Sequence, residues 1–253
     1  MTIRYVAIGD SFTEGVGDEL PDGRPRGWAD LTAQGWADSL GEPIEYANLA
    51  IRGRLAGPIV AEQLEPALAL RPTHLSFNGG GNDMLRPGVG MESIADAFSH
   101  VLARCDEEGV RLILLSGANP SGGLPLSRLI QRRGDELSAA VLRRIEDRPD
   151  VIRALNWPDR ELTDPSFWSA DRLHMGPRGH HRVAARVLTA LGERAPEDWW
   201  DLPHEGIAHL ERTRYYREHV LPWVRRRLTR RSSGDGRQPK YATWTTIEPR
   251  PSA

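Results

Sequence analysis

Apolar positions along the chain fall into short runs set at helix-sized intervals. Residues 3–8, 44–49, 73–77 and 110–116 read as strands, with a weaker fifth at 151–155. The run Val-Arg-Leu-Ile-Leu-Leu-Ser at 110–116 is almost continuously apolar. Such a run suits a strand covered on both faces, as in a parallel sheet. Helical spacing fills the gaps. Gly27–Leu40 sets Trp28, Leu31 and Trp36 against a polar face, and residues 59–70 follow a Gly57-Pro58 start signal. Residues 91–108 place Ile94, Phe98, Val101, Leu102 and Cys105 on one face, with Gly109 as a stop. Residues 126–147 and Pro177–Leu191 follow, the latter with proline at its start and Gly192 just past its end.

This alternation predicts an α/β domain over residues 1–192, a three-layer α/β/α sandwich around a five-stranded, mostly parallel sheet. Ligands in such sheets bind beyond the carboxyl ends of the strands. Ser11, residues 78–83 and residues 117–120 all follow strand ends and are expected along one edge. After Gly192 the pattern changes. Residues 193–253 predict a helical extension around 207–220 and then a basic tail. Residues 225–240 carry seven Lys or Arg against the single acid Asp235, and the last residues read as loose.

Composition narrows the picture only modestly. A chain of 253 residues can bury a full core, and 39% hydrophobic with 27% charged residues fits a soluble globular protein. The net charge of -2 gives no general bias toward nucleic acid or acidic membranes. One cysteine, Cys105, excludes an internal disulfide and a thiol-rich metal site, and it is expected only to pack. No apolar stretch is long enough to span a membrane, and no leader-like segment opens the chain, so a cytoplasmic protein is expected.

The candidate chemistry lies in scattered blocks. Gly9-Asp10-Ser11-Phe12-Thr13-Glu14-Gly15 directly follows the first strand and brings a hydroxyl to the sheet rim. A serine hydroxyl is a poor nucleophile at neutral pH and needs a base whose tautomer is held by a partner. Asp171-Arg172-Leu173-His174 supplies both, with the carboxylate three residues before the imidazole. Developing negative charge needs aimed donors: the Ser11 backbone N–H, Gly53, which has no side chain to block approach, and the Asn82 carboxamide. Asp10 is expected to fix the strand–loop bend, Asp83 to cap or steady its loop, and His180 and His181 to be structural or exposed.

GDSFTEG at 9–15, Gly53 after Asn48-Leu49-Ala50, GGND at 80–83 and DRLH at 171–174 together resemble the SGNH hydrolases, the GDSL esterase/lipase family. No single block is specific, but their ordered joint occurrence over roughly residues 3–191 is. Phe12 stands where that family usually has leucine. The resemblance implies a flavodoxin-like SGNH fold with a five-stranded parallel sheet. It implies Ser11 as nucleophile, Asp171 and His174 completing a triad, and Ser11, Gly53 and Asn82 forming the oxyanion hole. It implies carboxylic ester hydrolysis through an acyl-enzyme on a small-molecule ester, with no metal or other cofactor.

Two other readings compete. Gly9-Asp10, Gly81-Asn82-Asp83 and Gly179-His180-His181 faintly resemble ligand motifs of metal-dependent phosphoesterases, although no Asp-x-His opens the chain. A catalytically silent binding module on the same fold is the third. Dinucleotide and phosphate loops are not matched, and the basic segment lacks the aromatics of a nucleic-acid site. Ester class is not encoded in the loops, and the glycines of residues 121–125 suggest a lid there.

Overall fold

The computed structural model describes residues 2–122, 124, 126–203 and 233–251. Five parallel strands form its centre: β1 (Arg4–Ile8), β2 (Ile44–Asn48), β3 (His74–Phe77), β4 (Arg111–Ser116) and β5 (Ile152–Leu155). A sixth, β6 (Tyr241–Ile247), runs antiparallel against β2, giving the order β5-β4-β3-β1-β2-β6. The expected sheet of five is therefore corrected to six. The stretch read as a loose tail supplies the extra strand, while the helix expected at 207–220 and most of the basic run lie outside the described residues.

The helices are α1 (Ser11–Glu14), α2 (Gly27–Leu40), α3 (Ala56–Ile59), α4 (Glu65–Ala69), α5 (Gly81–Met84), α6 (Met91–Glu107), α7 (Ser127–Arg144) and α8 (Pro177–Leu191). Alternate strand residues face opposite layers, as the period of two requires. Val6, Ile8, Leu75, Phe77, Leu112 and Leu114 pack toward α3, α4, α6 and α7. Tyr5, Ala7, Tyr46, Ile113 and Leu115 pack toward α2 and α8. The three layers expected from the sequence are thus present. Cys105 is buried in the first of these cores, and burial pushes its thiol up to about 12. Among the described residues, no helix is long and apolar enough to cross a membrane.

The segment expected as one helix over 59–70 is instead α3, a wider π turn at Val60–Leu64, and α4. Pro66 accounts for the change. It has no N–H to give the carbonyl four residues back, and its ring crowds that carbonyl, so the preceding turn widens. The result matters for the site, because Gln63 on the widened turn faces the end of β1.

Candidate active site

β1 and β3 are neighbours, while the chain leaves β1 for β2 on the other side. Such a reversal opens a crevice at the carboxyl ends of the strands. Ser11 sits there as the first residue of α1. The Gln63 amide holds the approach to it, accepting from Gly9 N at 2.9 Å and donating to Gly9 O at 3.0 Å. Asp10 caps α1, its Oδ1 accepting from Phe12 N at 3.1 Å, which is the bend-fixing part expected of it.

Asn82 lies on α5, just past β3. Its Nδ2 donates to Asp10 Oδ2 at 3.1 Å and to the Arg54 carbonyl at 3.0 Å. Asp83 accepts from Ala56 N at 3.0 Å and so caps α3 from a neighbouring element. Gly53 occupies the turn after β2 at φ +76, a left-handed conformation that suits glycine. Its neighbour Arg52 is anchored to α1, with the backbone N and guanidinium both donating to Glu14 at 2.6–2.9 Å. Glu14 and Gln63 therefore position the site. Neither stands out in the sequence, because an acid or an amide at a turn carries no distinctive spacing.

Asp171 and His174 sit near the tip of a loop closed by the bridge between Trp168 and Met175. His174 Nδ1 donates to Asp171 Oδ2 at 2.6 Å. Asp171 Oδ1 accepts from Leu173 N and His174 N, each at 2.9 Å, and from Ser169 Oγ at 2.7 Å. Burial raises the Asp171 pKa, but the hydrogen bond and charge of His174 and the two backbone donors outweigh it. They hold the carboxyl well below the usual range. A charged Asp171 keeps the proton of His174 on Nδ1 and leaves Nε2 as the acceptor.

A cavity of about 140 Å³ gathers these elements. Its walls include Ser11, Asn82 and His174, with Asn78 and Gly79 after β3 and Met175 beside the histidine. Asp171 stands behind His174, and Gly53 is joined to Asn82 through the Arg54 carbonyl rather than lining the cavity.

His180 is fully buried, with Nδ1 accepting from Trp28 N at 3.1 Å and Nε2 donating to Val16 O at 3.3 Å. Both ring nitrogens are thus engaged, and burial pushes the ring down to about 4. His181 bonds the Pro177 carbonyl and packs on Trp199. Both are structural, as expected. In the loop expected as a lid, Ser121 N donates to Asn119 Oδ1 and Gly122 packs against the Thr163 carbonyl, while residues 123 and 125 lie outside the described residues.

A mostly parallel α/β/α sandwich with a serine and a hydrogen-bonded Asp–His pair along one sheet edge has the layout of a serine hydrolase. The chain belongs to the GDSL-like lipase/acylhydrolase family, whose model matches residues 7–182. Among solved structures it is similar to LAE5, an alpha/beta hydrolase enzyme from the metagenome of Lake Arreo, Spain. The TM-score is 0.62 at 21% identity, covering 76% of this chain and 97% of that one. It is similar to a catalytic serine-to-alanine mutant of Axe2, an acetylxylan esterase from Geobacillus stearothermophilus, with TM-score 0.62 at 18% identity, covering 77% and 97%. It is also similar to the psychrotrophic esterase EstA from Pseudoalteromonas sp., inhibited by monoethylphosphonate, with TM-score 0.57 at 17% identity, covering 75% and 96%. Identities this low establish the shared fold. A search of curated proteins finds no match.

Proposed function

We propose that the protein hydrolyses carboxylic esters through an acyl-enzyme on Ser11. The observation that carries this reading is the Asp171–His174 pair, ordered by hydrogen bonds to Asp171, whose His174 shares a cavity with Ser11. Ser11 Oγ attacks the ester carbonyl carbon while His174 Nε2 takes its proton. The tetrahedral oxyanion is met by the Ser11 N–H, which as the first amide of a helical turn has no intrahelical acceptor. Asn82 Nδ2 and the Gly53 N–H complete the donor set, which requires one Asn82 N–H to turn from its present acceptor and the Gly53 turn to move in toward the cavity that it does not now line.

Collapse breaks the bond to the alkoxy oxygen, and His174 returns its proton to the departing alcohol. Water then attacks the acyl carbon as His174 takes a second proton, and the carboxylic acid leaves with Ser11 restored. Asp171 remains a carboxylate throughout. Support also comes from the acetylxylan esterase neighbour. Its catalytic mutants replace a serine, a histidine and an aspartate, and the last two are three residues apart, as Asp171 and His174 are.

The test is chemical. A fluorophosphonate should label Ser11 and stop p-nitrophenyl ester hydrolysis, and Ser11→Ala should abolish both with an unchanged circular dichroism spectrum. Full turnover in folded Ser11→Ala would refute the reading.

A further inference from the structure

The cavity beside Ser11 extends along one face of α7. Gly134, Leu137, Ser138, Val141 and Leu142 all line it, a stripe at helical spacing. From first to last this is about 12 Å of helix axis. Facing the stripe are Phe98 of α6, Leu155 of β5 and Trp157 just past β5. Trp157 is a fixed wall. Its indole N–H donates to Asp135 at 2.8 Å and its backbone N to Ser116 Oγ at 2.8 Å. Its ring lies so close to the α7 backbone that a Cβ at Gly134 would overlap it.

Beyond the Ser138 hydroxyl, little in the trough would bind a polar group. Among the described residues lining it, Asp10 and His174 are the titratable ones, and both belong to the site around Ser11. The Asn78 amide is committed to the Leu115 carbonyl at 3.1 Å and Ser116 Oγ to Trp157. The trough also adjoins the Asn82 side of the site. Arg133 of α7 bonds the carbonyl of Met84, on the helix that carries Asn82, and Met84 lines the cavity with Leu85. A leaving alcohol must sit by His174 to receive its proton, which leaves the Asn82 side to the acyl group.

Resting on the reading of Ser11 as nucleophile, we propose that this trough is an acyl subsite. The protein is then selective for straight-chain esters of about six acyl carbons over acetate esters, since an apolar cavity of about 150 Å³ holds a benzene. Each methylene added up to that length should raise kcat/KM about fourfold. A chain well beyond it has no further wall to cover and should gain nothing.

The experiment compares kcat/KM for p-nitrophenyl acetate, butyrate, hexanoate and decanoate in the wild type and in Ser138→Phe, with fluorophosphonate labelling of each protein. Four added methylenes at about fourfold each should put hexanoate about two-hundredfold above acetate, with no gain at decanoate. Ser138→Phe should lower the hexanoate-to-acetate ratio at least about tenfold. That ratio is independent of how much of the variant is folded. Acetate as the best substrate, or an unchanged ratio in Ser138→Phe, would overturn the subsite while labelled Ser11 still stood. Absent labelling with no ester turned over would overturn the nucleophile, and the subsite with it.

Discussion

Lys240, just before β6, donates to the carbonyl of Glu14 at 2.8 Å and so ties the C-terminal strand to the turn that begins with Ser11. The same ammonium donates to the carbonyls of Pro25 and Arg26 and pairs with Asp30 at 2.7 Å. Burial lowers the Lys240 pKa and raises that of Asp30, and their mutual attraction opposes both shifts. Removing one partner strands the other charge out of water. Lys240→Met should therefore cost about 3–5 kcal/mol, read as a lower urea midpoint. Combining it with Asp30→Asn should restore part of the loss. An unchanged midpoint in the single variant would show that the clamp is idle.

Gly17 packs against the loop that carries the Asp–His pair. It sits at φ +99, and a Cβ there would collide with the Met175 carbonyl and press on His174 Cβ at 3.3 Å. Backbone cannot yield as a flexible side chain does, so Gly17→Ala should displace His174. A misplacement near 1 Å costs about a hundredfold in rate, which steady-state ester hydrolysis would detect. Gly23→Ala is the control. Gly23 shares a positive φ of +81 but has nothing within 4 Å of its added Cβ. It should lose about 1 kcal/mol of stability and keep its activity. Equal losses of rate in both variants would mean that strain alone, not the contact with His174, is responsible.

Asp171→Asn separates orientation from packing. The asparagine can still accept from the Leu173 and His174 backbone, but it cannot hold a proton on Nδ1 as a carboxylate does. In serine triads this change lowers kcat about 10⁴-fold with the geometry kept, and the same order is expected here. The stability profile should change too. The folded pKa of Asp171 lies below its ordinary 3.8, so its contribution is fully present above that value and is lost as pH falls. Acid denaturation of Asp171→Asn should show a shallower loss on that side. A rate within tenfold of wild type would remove Asp171 from the mechanism.

The elements most legible in the sequence are those whose pattern is set by two-sided or one-sided burial. β4 reads clearly because Leu112 to Leu115 are all buried, and α8 because its apolar face is closed by Pro177 and Gly192. β6 does not stand out in the sequence, for the converse reason. It is an edge strand of Tyr, Ala, Thr, Trp and Ile with no fully buried residue, set among basic and proline-rich sequence. Its β-branched and aromatic content was the available signal. The blocks of the candidate site stand out in the sequence because Ser11 and Asn82 follow strand ends and Asp171 and His174 keep a fixed spacing. Glu14, Gln63 and Lys240 act through partners 38, 54 and 226 residues away, and no local pattern announces such bonds.

Asp10 offers the sharpest pH test, because its shift has the opposite sign to that of Asp171. Burial pushes its carboxyl up to about 6 from 3.8, against the opposing hydrogen bond of Phe12 N and the charge of His174. The folded protein then binds this proton more tightly than the unfolded chain, so stability falls as pH rises from about 4 to about 6, by about 3 kcal/mol at most. Asp10→Asn cannot ionise and should abolish that decline, leaving the variant as stable as wild type or more so near neutral pH. Its Oδ1 can still accept from Phe12 N, but its amide turns donors toward Asn82 Nδ2, where Asp10 Oδ2 accepts at 3.1 Å. Asn82 should then reorient and kcat should fall, about 10²-fold or more if Asn82 is an oxyanion donor. Urea midpoints across this pH range, measured beside kcat, decide the matter. A wild-type profile parallel to that of the variant would show that Asp10 titrates as an ordinary carboxylate and that its burial carries no cost.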